Sequence, residues 1–251
     1  MKMTNIKTIS IAMIEYAYRR NLIGALQLYY LLQPIKTVRF DTETCSYCMK
    51  QLSISYSTLM RRFNQLRHTR WIKPHRNDDR YFVVQAEKHI LEPYLVYSKG
   101  QLHWRPHYQI VNFKIIVITA LMFQTAIFRE IRKSCQGESA QLRKRVMSHC
   151  KIHPDYGRIY ATRHFRIPSN YYAKALQVSL MQYYRYRKKA YDMTLLSVTM
   201  HDLKVNIPSQ RLKNVRTLYK DGPYIANKKD GAYLQEATSI HFNLFISPCE
   251  K

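Results

Sequence analysis

Apolar positions three and four residues apart recur along the start of the chain and predict a series of short helices. The pattern predicts one helix over residues 8–20 and a second over residues 22–33. The second helix ends where Pro34 removes a backbone donor. Residues 38–40, Val-Arg-Phe, then have the pattern of a very short strand.

A tight turn separates a third predicted helix, through residues 45–52, from a fourth. Thr42 or Thr44 is placed to cap the third helix. In the turn, Ser53-Ile54-Ser55, the isoleucine is expected to enter the core and Ser55 to cap the fourth helix. Apolar residues at helical spacing give that helix one buried face: Leu59, Phe63 and Leu66.

The opposite face of the fourth helix is polar. At 100° per residue it carries Ser57, Arg61, Asn64, Gln65 and His68. Such side chains can hydrogen-bond base edges or phosphates. After the apolar pair Trp71-Ile72, a polar hairpin tip at residues 76–80 leads into a predicted strand over residues 81–84.

This order of helix, helix, short strand, helix, turn, polar-faced helix and β-hairpin resembles the winged-helix variant of the helix-turn-helix. The resemblance implies that residues 55–68 enter the major groove of DNA, while residues 76–80 form a wing beside its backbone. The alternative is a small helical domain whose polar face is only solvated.

An internal repeat predicts a second unit of the same kind. A shift of 113 residues places Tyr160 on Tyr47, and it also places Lys174 on Arg61. Apolar stretches over residues 113–131 and 139–150 would be its two leading helices. The second recognition helix is then expected over residues 169–183, with residues 208–219 as the alternative.

The fold predicted from these patterns is mainly α with small β-hairpins, of the α+β class, built as two tandem winged-helix units. The first domain covers residues 1–88, and a connector covers residues 89–112. The second domain, residues 113–251, carries a β-rich C-terminal extension in which Lys229-Asp230-Gly231 forms a hairpin turn. The connector is expected to be ordered, because its apolar residues would be costly to expose: Tyr94, Leu95, Tyr97, Leu102 and Trp104.

The charge balance indicates a polyanionic partner. Forty-one Lys and Arg residues against sixteen Asp and Glu residues give a net charge of +25 in 251 residues. A membrane partner is not expected, since the best apolar run, residues 115–128, is interrupted by polar residues and too short to span. We expect no signal peptide, and a location in the cytoplasm or nucleoid of a bacterial cell.

Candidate chemistry outside nucleic-acid binding is sparse, and no cofactor is predicted. The five cysteines have irregular spacing, which does not describe a disulfide framework. Cys45 and Cys48 could form a zinc site with His149, Cys150 and His153, but the repeat places Cys48 on Ala161, as an ordinary small core residue.

The sequence does not indicate an enzyme. The phosphate-binding loop of ATPases is absent, and the acidic residues are too scattered for two-metal chemistry. His103 and His107 do not have the spacing of a rolling-circle nickase. With twenty-one tyrosines in the chain, tyrosine-dependent strand cleavage stays a minor alternative.

We therefore expect a non-enzymatic protein that binds double-stranded DNA. A homodimer is one form in which it could bind. The tandem arrangement is similar to plasmid and phage replication initiators and to bacterial transcription regulators; the alternative is an architectural or packaging protein. The expected base-contacting residues are Ser57, Arg61, Asn64 and His68, then Asn170, Lys174 and Gln177. Ser55 and Gln65 complete the first surface, and the expected phosphate contacts are Arg62, Arg67, Lys73, Arg76, Arg80, Arg187, Lys188 and Lys189.

Overall fold

The computed structural model of the chain describes residues 8–91, 101–103, 110–134, 164–165, 167–206, 224–226, 232–244 and 246–247. In these ranges helices predominate over three small antiparallel sheets, which confirms the α+β class. The chain divides into two units. The first comprises residues 1–117, 150–154 and 246–251, and the second comprises residues 118–149 and 155–245.

The described elements are eight α-helices and nine strands, with the longest strands near the end of the second unit. The helices are α1 (Ile11–Arg19), α2 (Ile23–Leu32), α3 (Thr42–Leu52), α4 (Tyr56–His68), α5 (Glu87–Leu91), α6 (Phe113–Ser134), α7 (Ser169–Ala175) and α8 (Leu180–Asp192). The strands are β1 (Thr8–Ser10), β2 (Thr37–Arg39), β3 (Ile72–Pro74), β4 (Tyr81–Val84), β5 (Gln101–His103), β6 (Leu196–Asn206), β7 (Tyr224–Ala226), β8 (Ala232–Phe242) and β9 (Ile246–Ser247).

The core of the first unit forms around Trp71, which is fully buried. Its ring lies 5.6 Å from that of Tyr29 on α2 and 6.0 Å from that of Tyr16 on α1. One sheet of this unit has the strand order β2-β4-β3, and the other has the order β1-β5-β9. The first of these sheets places the β3–β4 hairpin directly after α4.

The helices and hairpin predicted for the first unit are confirmed, with two local corrections. Residues 8–10 form β1 instead of the first helical turn, and Ser10 caps α1 by accepting a hydrogen bond from the Met13 amide. The cap of α3 is Asp41 and not a threonine. Its Oδ1 accepts from the Thr44 amide at 3.0 Å, and this bond lowers the pKa of the Asp41 carboxyl.

Part of the predicted connector belongs to the sheet of the first unit. Leu102 is fully buried in β5, where it pairs with Ile9 of β1 and Ile246 of β9. The prediction of order is confirmed for this segment. The other apolar connector residues, Tyr94, Leu95, Tyr97 and Trp104, lie outside the described residues.

The second unit has an aromatic core on α6. Phe123 stacks on Phe242 of β8 at 4.9 Å and meets Phe165 edge-on at 5.9 Å. The strand pairing predicted for the tail hairpin is confirmed, since β7 pairs antiparallel with the start of β8, while the predicted turn at residues 229–231 lies outside the described residues. The helices expected over residues 139–150 and 208–219 lie outside the described residues.

The single helix predicted over residues 169–183 is wrong. Helix α7 ends at Ala175 and α8 begins at Leu180. Gln177 lies between them in the left-handed region with φ of 53°, which no right-handed helix accommodates. Ser179 then starts a new helix, its side chain accepting from the Gln182 amide at 3.2 Å.

The apolar stretch of α6 is longer than the sequence pattern suggested. Among the described helices, the stretch Ile110–Arg129 is long and apolar enough to cross a membrane, so the prediction that it is too short was wrong. However, 67% of its most apolar 18-residue window is buried within the protein, as in a core helix.

Candidate nucleic-acid interface

The turn between α3 and α4 fixes which face of α4 points outward. Ser53 ends α3 in the left-handed conformation with φ of 52°. The Ile54 amide donates back to the Met49 carbonyl at 3.2 Å, and Ser55 caps α4 by accepting from the Thr58 amide at 3.4 Å. Ile54 is only half-buried, less than expected.

Burial of Leu59, Phe63 and Leu66 turns the opposite face of α4 to the surface, as predicted. This outward face consists of exposed residues with one half-buried neighbour, Gln65: Ser57, Arg61, Asn64 and His68. Their side chains combine hydroxyl, guanidinium, amide and imidazole groups, the set that reads base edges in nucleic-acid complexes.

Arg62 does not lie on this outward face. Its Nη1 donates to Oε1 of Gln27 on α2 at 2.6 Å, and burial lowers the pKa of its guanidinium. Gly24 makes room for it, because a Cβ there would lie 2.8 Å from the Arg62 Nε. Arg62, expected to contact phosphate, therefore ties α4 to α2.

The hairpin tip carries an internal ion pair. Nη2 of Arg80 lies 2.8 Å from Oδ2 of Asp78, and its Nε lies 2.9 Å from Oδ1. These bonds lower the pKa of Asp78 to about 2. The ion pair with Asp78 therefore compensates the charge of Arg80, one of the basic residues expected at the wing. Arg76 is exposed at the same tip.

An open groove runs beside the end of α4 and along β3. It has a volume of about 780 Å³ and offers three basic side chains, from Arg67, Arg70 and Lys73. The remaining lining residues are Asn64, His68, Ile72 and Pro74. The groove therefore extends from the outward face of α4 to β3 and carries side-chain hydrogen-bond donors from both elements.

The backbone geometry of the first helix–turn–helix recurs in the second unit after a shift of 124 residues. This shift places Gln177 on Ser53, with φ of 53° and 52°, and Thr194 on Arg70, with φ of 56° and 59°. The two capping serines, Ser55 and Ser179, also coincide.

The hydrogen bonds that close each turn repeat at the same shift. Val178 donates to the carbonyl of Ala173 at 3.0 Å, as Ile54 does to Met49. After the second helix, Leu195 donates to Ala190 at 2.9 Å, as Trp71 does to Leu66 at 2.9 Å. The shift of 113 residues predicted from the sequence is therefore wrong, because it aligned α7 with α4.

The strands that follow also correspond. Leu196 of β6 pairs with Phe242 of β8, as Ile72 of β3 pairs with Val84 of β4. An isolated bridge joins Phe165 to Ile240 of β8, where β2 joins β4 in the first unit. In each unit two antiparallel strands thus follow the second helix of the helix–turn–helix, α4 or α8. A third backbone segment pairs with one of those strands, β4 or β8.

The residues predicted for the second recognition helix occupy two different elements. Asn170 and Lys174 are exposed on α7, and Gln177 is exposed in the turn. The basic residues predicted as phosphate contacts lie on α8: Arg187, Lys188 and Lys189. The guanidinium of Arg187 covers the Tyr184 ring at 4.8 Å.

The sequence-based prediction missed the outward face of α8 itself. Exposed residues on it are Leu180, Met181, Tyr184 and Arg185. The signal that could have found this helix is Ser179 as a capping residue, followed at helical spacing by the buried residues Tyr183 and Ala190.

The cysteine pair behaves as core. Cys48 is fully buried, as predicted, and burial raises the pKa of its thiol to about 12. Burial also raises the pKa of the Cys45 thiol. The described residues contain no group of three or more metal-binding side chains, and His149, Cys150 and His153 lie outside them.

Comparison of the chain with known protein families, with curated proteins and with solved structures finds no match. Function is therefore inferred from the geometry and charge of the chain itself.

Proposed function

We propose that this chain binds double-stranded DNA through two helix-turn-helix units of the winged-helix type. The observation that carries the proposal is the recurrence of one backbone arrangement at a shift of 124 residues. Two helices joined by a turn with a left-handed residue, followed by a hairpin, are what such domains use to present a recognition helix.

The charge and polarity of the first unit support duplex DNA as the partner. An α-helix fits the major groove, where Arg and Asn side chains discriminate bases through paired hydrogen bonds. Arg61 and Asn64 occupy exposed positions one turn apart on α4. The basic groove beside β3 is suited to the phosphates that flank such a contact, and the net charge of +25 strengthens it.

The role that fits this chemistry best is a non-enzymatic replication initiator or transcription regulator acting in the bacterial cytoplasm. Both roles need a protein that selects one DNA site from a genome, and two units in one chain lengthen the sequence that can be read. A homodimer would double that length on a palindromic site.

The test is selection of a preferred duplex from genomic fragments, followed by affinity measurements at physiological salt on Arg61→Ala. A lost bidentate base contact should weaken binding by about 1–3 kcal/mol, or roughly 5- to 150-fold. The matched control is Arg19→Ala, an exposed arginine on α1 that pairs with Glu15. Equal affinities of wild type and Arg61→Ala would contradict the assignment of α4 as a recognition helix.

The net charge of +25 favours a second candidate, an architectural protein that neutralises the nucleic acid it encloses. Equal affinity for the selected duplex and a scrambled duplex would favour this role over site selection. The architectural role also predicts that Arg61→Ala weakens DNA binding no more than the control variant Arg19→Ala does.

A further inference from the structure

The outward face of α8 exposes large apolar side chains. Met181 is 64% exposed, Leu180 is 43% exposed and Tyr184 is 39% exposed. They are interleaved with exposed cations, Arg185, Lys188 and Lys189. The buried face is already filled by Tyr183 and Ala190, so these apolar residues do not contribute to that core face.

The shift of 124 residues pairs each of these positions with a position on α4. Arg185 corresponds to Arg61, so an arginine stands at the same helical position in both units. The neighbours differ in chemistry: Met181 replaces Ser57, and Lys188 replaces Asn64. Helix α8 therefore keeps the central arginine but substitutes an apolar and a charged group for two neutral hydrogen-bonding groups.

The partner of such a face has to offer both apolar surface and negative charge. In the major groove of DNA, the C5 methyl group of thymine is the one apolar group on the base edges, and phosphates line both sides. A protein surface would instead have to desolvate the three interleaved lysine and arginine heads. The combination on α8 therefore favours duplex DNA that carries thymines.

We propose that α8 contacts thymine methyl groups through Met181 and Leu180, while Arg185, Lys188 and Lys189 bind a base edge and flanking phosphates. This inference rests on the proposed DNA binding. It divides the reading of a site between the units: α4 reads by hydrogen bonds, and α8 reads by methyl contacts within an A·T-containing segment.

The experiment uses the full chain and the duplex selected for the wild type, made once with thymine and once with deoxyuridine at every thymine position. The exchange keeps base pairing and removes only the methyl groups. Burial of one or two methyl groups is worth about 0.8 kcal/mol each, so the wild type should bind the deoxyuridine duplex about 4- to 15-fold more weakly.

Met181→Ser places the serine of the equivalent α4 position on α8, at a site exposed enough not to affect folding. This variant should bind the thymine duplex more weakly and lose most of the difference between the two duplexes. Ser57→Ala is the matched control, and it should keep the full sensitivity to methyl removal.

Two results would overturn the inference while leaving the proposed function intact. One is sequence-specific binding by the wild type that does not change when thymine is replaced. The other is an equal loss of affinity on thymine replacement in the wild type and in Met181→Ser, because the methyl groups would then be contacted outside α8. Failure of the wild type to bind any duplex would instead overturn the proposed function.

Discussion

At the scale of single residues, the tyrosines show how this chain keeps polar groups in its core. Tyr30 is fully buried, and its hydroxyl donates to Oε1 of Glu87 at 2.8 Å while accepting from the Ser10 amide at 3.3 Å. The hydroxyl of Tyr29 donates to the Gln85 carbonyl at 2.8 Å. These tyrosines therefore serve as core residues, a use that enrichment in the composition does not distinguish from surface binding.

Glu87 gives a pH-dependent prediction. Burial raises the pKa of its carboxyl above the ordinary value. The pKa of Glu87 is therefore higher in the folded than in the unfolded protein, so the protonated carboxyl favours folding. This contribution to the free energy of unfolding is fully present below the unfolded pKa and is lost as pH rises through the folded pKa. Glu87→Gln keeps an acceptor for Tyr30 without the charge, so it should be more stable than wild type at pH 7.5, and the gain should shrink by pH 4.

Denaturant unfolding at pH 4, 5.5 and 7.5 measures this difference. The same exchange at Glu43, an exposed residue of α3, is the matched control and should not follow that trend. A Glu87→Gln protein that is less stable than wild type at pH 7.5 would contradict the prediction.

The outward residues of α4 could be predicted from the sequence, since the helical period alone separates Arg61 from Leu59 and Phe63. The role of Arg62 could not be predicted from the sequence. Its position depends on Gly24 and Gln27 of α2, which are brought to it by tertiary packing and leave no local signal in the sequence around α4.

At the scale of elements, the two helix–turn–helix turns differ in how visible they are in the sequence. The first turn begins with Ser53 and ends with Ser55. Ser53 ends α3, and Ser55 is a residue type that commonly caps the start of a helix. In the second turn the left-handed position is Gln177, not the glycine or asparagine that usually marks such a residue. The helical spacing of apolar residues therefore continues through the second turn in the sequence and does not reveal the break between α7 and α8.

This turn can be tested by Gln177→Gly. Glycine reaches positive φ without a steric penalty, so the variant should be more stable than wild type by about 0.5–1 kcal/mol. In a continuous helix over residues 169–183, the same change would instead cost about 1 kcal/mol. Denaturant unfolding distinguishes the two signs.

Gln182→Gly is the matched control, because Gln182 lies within the first turn of α8. We expect it to lower the free energy of unfolding by about 1 kcal/mol. A loss of stability in Gln177→Gly as large as in this control would contradict the placement of the turn.

At the scale of the whole molecule, the net charge of +25 predicts how the proposed DNA binding should respond to salt. Each phosphate that the protein neutralises releases condensed counterions, so the logarithm of the affinity falls linearly with the logarithm of the salt concentration. With six phosphate contacts, we expect affinity for duplex DNA to drop by about 10³ between 50 and 200 mM salt. Titrations across this range give the slope.

Lys188→Ala should reduce the magnitude of that slope by about one, because it removes one phosphate contact. Arg19→Ala is the control of equal charge change and should leave the slope unaltered. A wild-type affinity that is nearly independent of salt would contradict phosphate binding by this basic surface.

The division into units was only partly accessible from the sequence. Local periodicity indicated a first unit at the start of the chain and a long helix near residue 113. It could not indicate that β9, near the other end of the chain, pairs with β5 of the first unit. Pairing between distant strands depends on the assembled fold, and two-residue β9 is too short to show a strand pattern.

The strand pairs that follow α4 and α8 have very different lengths. The β3–β4 hairpin pairs three positions, whereas β6 and β8 pair without interruption from Leu196↔Phe242 to Asn206↔Ala232. At about 3.4 Å per residue, the longer strand pair extends roughly 35 Å, close to one helical turn of B-form DNA. Under the proposed DNA binding, the β6–β8 pair is therefore long enough to follow the duplex for about one helical turn, whereas the β3–β4 pair is not.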